Sequence, residues 1–350
     1  MPHPASSAFP ENARDFLAQW SVGRGNLRNF LETTALPPLD EAAQQTAGEA
    51  AAAAAVKEVF GIELAEFDLG VESVSGSIHA AGSLKVSPTD PNIEQNPGVA
   101  AFFDIDNTLI RGSSLIALAL GLARDHFFSF PELTSIAWKQ LKYRVTGSEN
   151  SDDVAEGRAM ALEIIKGRRV DELVTLCEEI VDESMAQRTF PGTRAVAESH
   201  LAAGEQVWLV SATPVQLAQI LARRFGFTGA LGTVAEVEAG RFTGRLTGDI
   251  LHGPGKKHAV AALAAVEKLD LSRCTAYSDS INDLPMLTMV GTPVAVNPDR
   301  ALTAEAKSRG WQILNYHSLR KAIRTFGLPS LITAAFSIAG WQLRHYFARR

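Results

Sequence analysis

The chain has 350 residues, 46% of them hydrophobic, and a formal net charge of −6. That is ample apolar material for one large or two ordinary domains, and the negative balance, with no basic patch interleaved with aromatics, excludes a general affinity for nucleic acid. The two cysteines, Cys177 and Cys274, have neither CxxC nor Cys/His spacing, which argues against a structural zinc and for a reducing compartment.

The amino-terminal stretch MPHPASSAFPENARD has prolines and acids where a secretory leader needs a basic start and an apolar run, so a cytoplasmic location is expected. Residues 1–97 include the tract GEAAAAAAVKEVF (48–60) and a linker-like run, KVSPTDPNIEQNPG (85–98). Alanine-rich helices form readily but bury little, so this region reads as a helical accessory segment, partly disordered and without assigned chemistry.

From Gly98 the pattern changes. Short apolar runs at 99–103, 207–210, 275–277 and 293–296 alternate with helical stretches, the signature of an α/β protein whose parallel sheet is covered on both faces. A long helical insertion, 115–189, separates the first two runs and predicts a small helical domain over the site. The catalytic core then comprises 98–114 and 190–318. Within it, TVAEVEAGRFTGRL (233–246) predicts a hairpin around Ala239-Gly240, read as an ordinary insertion without catalytic work. Beyond it, 319–350 reads as an apolar, basic-flanked terminal helix. The uncharged stretch 325–343 nears the ~20 residues of a membrane span, but polar residues dilute it. Membrane contact and a terminal helix docked on the domain both remain open.

Ligands of such sheets bind beyond the carboxyl ends of the strands. There, AFFDIDNTL (101–109) puts Asp104 and Asp106 directly after an apolar run. Alone, this pair also suits a helix cap, a fragment of a calcium loop or surface charge. Successive side chains of an extended strand point to opposite sides, so if both acids serve one site the chain must turn just after Asp104, a turn that Asn107 and Thr108 suit. A second pair, Asp279 and Asp283 in AYSDSINDLPML, again follows an apolar run, although Asp283 could simply open a helix. Two carboxylate pairs in one crevice repel, and Mg²⁺, which takes oxygen ligands and a substrate phosphate, resolves that repulsion. Ser211 in VWLVSATP and Lys256 in GPGKKHAV complete a set sized for a phosphate, as hydroxyl donor and point cation.

The order Asp104-x-Asp106-x-Thr108, Ser211, Lys256, then Asp279 and Asp283 resembles the four motifs of the haloacid dehalogenase superfamily. The insertion after the first motif, FPGT (190–193), EAGRFTGRL and Asn282 are similar to its phosphoserine phosphatase-like branch. Lys256 fits the family's spacing to Asp279 better than Lys257. The resemblance spans about residues 98–315 and implies a Rossmann-like parallel sheet core with an inserted helical cap. It further implies an Mg²⁺-dependent phosphomonoester hydrolase working through an aspartyl-phosphate on Asp104, with Asp106 as general acid and base. Asp104, Asp106 and Asp279 would hold the metal, with Asp283 just behind. Thr108, Ser211, the Ala212 N–H, Lys256 and Asn282 would bind phosphate, and a small phosphomonoester would be the partner.

One departure concerns the substrate. Phosphoserine phosphatases carry a serine-binding glutamate where this chain has Ser113, and a cap arginine where an ungapped match places Ala161, with Arg158 about a turn away. Two other readings therefore stand beside phosphoserine hydrolysis: a phosphatase of a lipid or lipid-headgroup phosphate at the membrane, and a non-catalytic regulatory protein retaining the fold.

Overall fold

The computed structural model describes residues 41–124, 162 and 165–316. Seven strands form one sheet in the order β4-β3-β2-β1-β5-β6-β7. They are β1 (Ala100–Phe103), β2 (Gln206–Pro214), β3 (Gly229–Glu238), β4 (Arg241–Thr247), β5 (Thr275–Ser278), β6 (Thr292–Val296) and β7 (Gln312–Leu314). All neighbours run parallel except β3 and β4. The chain thus forms the α/β core with a mostly parallel sheet that the alternation of apolar runs predicts, in the Rossmann-like arrangement that the resemblance implies.

Central β1 is buried at all four residues and pairs β2 on one side and β5 on the other, with Phe102 opposite both Trp208 and Ala276. Its residues alternate between two cores. Phe102 and Trp208 belong to one, and Phe103 and Leu209 to the other. Burial on both faces is why these strands read as continuous apolar runs. Because the strand order reverses at β1, the crevice at its carboxyl end is the place where such sheets bind ligands. The β3–β4 hairpin turns at Ala239 (φ 49°) and Gly240 (φ 75°), with Glu238 facing Arg241. Two central residues at positive φ make the primed turn that suits the strand twist.

Residues 41–81 form two helices, α1 (Glu41–Phe60) and α2 (Leu64–Ala81). The expectation that this region buries little does not describe α2. Its Phe67, Val71 and Val74 are buried in the Phe102 core, where Phe67 stacks on Phe60. Small residues read from sequence as poor core material instead permit close approach. A Cβ on Gly70 would lie 2.1 Å from the carbonyl oxygen of His258, in α7 (Pro254–Glu267), whose own buried face is largely alanine. Gln219 Nε2, from α6 (Val215–Phe225), donates to the Ser77 carbonyl at 2.6 Å. Helix α2 is therefore part of the layer covering one face of the sheet, and the 97/98 sequence boundary separates no independent packing unit there.

The other helices are α3 (Ser114–Arg124), α4 (Val170–Ile180), α5 (Pro191–Ala202), the short α8 (Leu284–Leu287) and α9 (Arg300–Arg309). Helices α3 and α4 belong to the helical insertion and meet at Gly121, where a Cβ would lie 2.4 Å from Ile180 Cδ1, so the missing side chain makes room for the isoleucine. The middle of that insertion and the terminal segment 319–350, with its 325–343 stretch, lie outside the described residues. Among the described residues no helix is long and apolar enough to cross a membrane.

Candidate active site

The first acidic pair is shaped by a turn at the end of β1. The Asp104 N–H still donates to the Tyr277 carbonyl at 3.0 Å, extending the pairing with β5. Asn107 then adopts φ 52°, a left-handed conformation that asparagine tolerates better than most residues, and its Oδ1 accepts from the Gly112 N–H at 3.0 Å. Asp106 is left half-buried, with Oδ1 accepting from the Ser114 N–H at 2.8 Å.

Lys256 arrives from α7. The helix starts at Gly253, with φ 56°, and a Cβ on Gly255 would lie 1.9 Å from the Ile250 carbonyl oxygen, so glycine lets the first turn press against the preceding loop. Lys256 is only 3% exposed. Its Nζ donates to Asp104 Oδ1 at 2.5 Å and to Asp283 Oδ2 at 2.6 Å, and Ser278 Oγ donates to the same Asp283 oxygen at 2.7 Å. Lys257 points elsewhere, to the Gly61 carbonyl. Burial disfavours the Lys256 ammonium, but the Asp104 and Asp283 carboxylates outweigh it and hold the pKa above its ordinary value.

The acids carry the cost of this crowding. Burial pushes Asp104 up to about 8 against the pull of Lys256, with Asp283, Asp279 and Asp106 adding to the rise. Asp279 rises to about 6, from burial and then the Asp283 charge, opposed by a hydrogen bond from Asn107 and by Lys256.

Ser211 lies near the end of β2, buried, and its Oγ accepts from the Thr213 N–H at 3.2 Å. Ala212 is half-buried, with its carbonyl accepting from Thr233 Oγ1 at 2.8 Å. The structure thus joins Asp104, Lys256 and Asp283 directly, sets Asp106 and Asp279 within electrostatic reach of Asp104, and places Ser211 and Ala212 on the adjacent strand. Thr108 and Asn282 are not drawn into this contact set. Thr108 is fully buried, with its carbonyl accepting from Thr193 Oγ1, while Asn282 is exposed on the turn after Ser280.

Three supporting residues escape a reading of the sequence: Ser278, Asn297 and Asp299. Asn297, with φ 48°, donates from Nδ2 to the Asn107 carbonyl at 3.0 Å, and Asp299 Oδ2 accepts from the Ile281 N–H at 2.9 Å. The Asn-Pro-Asp run after β6 is the turn signal that could have found the last two.

Asp104, Asp106 and Asp279 offer hard oxygen donors at the carboxyl ends of β1 and β5, a set that fits Mg²⁺. Among the described residues no three His, Cys, Asp or Glu side chains converge as a metal cage. An ion held by these donors would take water and phosphate oxygens as further ligands. Four carboxylates face one ammonium here; burial raises Asp104 and Asp279 most, and a divalent cation would offset the further rise that the neighbouring carboxylates add.

The model of the haloacid dehalogenase-like hydrolase family matches residues 101–288. The chain is 51% identical over 273 residues to a Mycobacterium tuberculosis (strain ATCC 25618 / H37Rv) protein named phosphoserine phosphatase SerB1, covering 78% of this chain and 86% of that one. It is 31% identical over 220 residues to a histidinol-phosphatase of Neisseria meningitidis serogroup C, covering 62% of this chain and 98% of the relative. Among solved structures it is similar to a Bordetella pertussis Tohama I protein of unknown function, at 30% identity and a TM-score of 0.56, covering 62% of this chain and 98% of that one.

Proposed function

The chain belongs to the haloacid dehalogenase-like hydrolase family, and from that premise we propose that it is an Mg²⁺-dependent phosphatase of small phosphomonoesters, acting in the cytoplasm. The observation that carries this reading is the buried Lys256 bridge between Asp104 and Asp283 at the carboxyl edge of β1 and β5. Such a bridge serves a nucleophile that must stay oriented while anionic charge arrives.

The Asp104 carboxylate attacks phosphorus and the ester bond to the alcohol breaks. Asp106 gives its proton to the departing alkoxide, leaving an aspartyl-phosphate on Asp104. Asp106, now ionised, takes a proton from water, which attacks the same phosphorus and releases inorganic phosphate and the Asp104 carboxylate. The Ser114 N–H bond to Asp106 Oδ1 fixes the proton carrier through both steps. Lys256, Ser211 and the Ala212 N–H stabilise the non-bridging oxygens as charge shifts onto them. Asp104, Asp106 and Asp279 would hold Mg²⁺, which supplies charge neutralisation and in-line orientation of the phosphate when bound.

The names of the relatives support a small polar substrate. Ser113, nine residues after Asp104, provides no charge for an ammonium, and its Oγ accepts from the Ile116 N–H at the start of α3. Free phosphoserine is therefore one candidate among several. Hydrolysis of p-nitrophenyl phosphate with Mg²⁺, compared between the wild type and Asp104→Asn, tests the reading. The expected result is a magnesium-dependent rate in the wild type that the variant lacks. An inactive wild type, or equal rates in both, would refute it.

A further inference from the structure

Lys256 bridges the acids of the crevice, and the segment that carries it is gripped by α2, which lies outside the stretch 101–288 that bears the family's motifs. The grip falls on both sides of the lysine. Before it, the Asp249 N–H donates to Ser73 Oγ at 2.9 Å and the Gly248 N–H to a Glu72 carboxylate oxygen at 3.2 Å. After it, the His258 carbonyl lies so close to Gly70 that a Cβ there would come within 2.1 Å of its oxygen. Ser73 is fully buried, and its hydroxyl donates to the Leu69 carbonyl at 2.9 Å, which leaves the oxygen as an acceptor for the loop. Gly248 has φ 71°, and a Cβ on it would lie 2.4 Å from Ser73 Oγ, so glycine lets the loop backbone rest on the helix.

Little slack separates these anchors from Lys256. The N–H groups of His252, Gly255 and Lys256 donate to the carbonyls of Ile250, His252 and Gly253 at 2.7, 3.2 and 3.2 Å. Asp249 Oδ1 accepts from the Ile250 N–H at 2.7 Å, and Asp249 Oδ2 is hydrogen-bonded to His258 Nδ1 at 3.0 Å, which ties the loop to α7 across the lysine. A lysine carries its charge on a flexible four-carbon stem, so the place where its backbone is held decides whether Nζ meets both Asp104 and Asp283.

From this grip we infer that Ser73, with Glu72 beside it, is a positioning residue for Lys256, so that an amino-terminal helix completes the active site. This rests on the phosphatase reading. Ser73 touches none of the reacting groups; it acts through the 248–249 backbone. A displaced ammonium stabilises the charge that develops during phosphoryl transfer less well, so the loss falls on kcat more than on KM.

The test measures kcat and KM of the full chain on p-nitrophenyl phosphate with saturating Mg²⁺, well below every melting transition, for the wild type, Ser73→Ala and Val56→Ala, and for each change combined with Lys256→Met. Val56 is buried in the same core but on α1, so its truncation controls for lost stability without lost grip. Ser73→Ala should lower kcat about tenfold and leave KM within about twofold. Combined with Lys256→Met its effect should shrink below about twofold, because a residue acting through the lysine has nothing left to place. Val56→Ala should lower the melting temperature and leave kcat within about twofold. If Ser73→Ala does not fold, Glu72→Ala, at an exposed position, decides by the same comparison with an expected loss of about threefold. An unchanged kcat in the deciding variant, an equal loss with and without Lys256, or the same loss in Val56→Ala would overturn the inference and leave the phosphatase reading standing. A wild type without magnesium-dependent hydrolysis defeats that reading itself, and the inference with it.

Discussion

Replacing Lys256 with methionine keeps most of the side chain's bulk and removes its charge from a site that is 3% exposed. The ammonium holds Asp104 Oδ1 at 2.5 Å and Asp283 Oδ2 at 2.6 Å, so its loss leaves two buried carboxylates facing each other with Asp106 and Asp279 nearby. Breaking a buried pair on one side costs about 3–5 kcal/mol. The cost depends on pH, and the sign follows from the groups involved. The folded-state pKa of Lys256 is raised above 10.5, so in the wild type its contribution is present throughout the range below that value. Asp104 and Asp279 have folded-state values of about 8 and about 6 against an unfolded 3.8, so their ionisation opposes folding increasingly as pH rises through that window. Without the ammonium, Asp104 rises further and this opposition extends to higher pH. Lys256→Met should therefore lose about 3–5 kcal/mol, and the loss should be larger at pH 9 than at pH 7, because above about 8 the wild-type Asp104 ionises beside its ammonium while the variant's stays protonated. Urea denaturation at the two pH values, in chelator so that no divalent cation replaces the ammonium, measures the difference. The same variant should lose about 10²–10³ in kcat on a phosphomonoester. A loss under about 1 kcal/mol at pH 9, or a pH slope equal to that of the wild type, would show that Lys256 does not carry the charge balance described.

Chelation should abolish hydrolysis and added Mg²⁺ should restore it, read as initial rates across a magnesium titration. Ser278→Ala frees the Asp283 oxygen that Ser278 Oγ holds at 2.7 Å, and the magnesium needed for half-maximal rate should rise about tenfold. In the amino-terminal helices, Gly70→Ala drives a methyl group into the His258 carbonyl and should cost about 1–3 kcal/mol in thermal or urea denaturation. Gly48→Ala, in α1 with nothing within 4 Å of the new methyl, should instead add about 0.5–1 kcal/mol.

The acids were legible in sequence because each sits at a junction with a local signature, an apolar run broken by carboxylates and turn residues. Strands β1, β2, β5 and β6 were visible for the same reason, being buried on both faces. The β3–β4 turn was visible because Ala239-Gly240 interrupts two alternating runs. Other features had no local signature. Helix α2 owes its place in the core to Gly70, Ser73 and Gly76, whose small size lowers any hydrophobic score yet permits contact with α7 and Val234. Ser278 and Asn297 matter only through what they touch, and Asn297 reaches Asn107 across 190 residues of sequence.

The apolar runs and the carboxylates that end them by themselves determined the fold class and the two acidic pairs at the strand ends, since hydrophobicity and charge type are written in the chain; the role of Asp104 as nucleophile came from the family resemblance. The tertiary structure shows Lys256, which the family spacing already favoured over Lys257, in contact with the acids, and Thr108 fully buried outside that contact set. It also leaves the buried hydroxyls of Ser114 and Thr213 without a hydrogen-bond partner among the described residues. The bond from Lys256 to Asp104 closes over 152 residues, and only the packing of α7 against α2 and the sheet fixes which side of that helix faces inward.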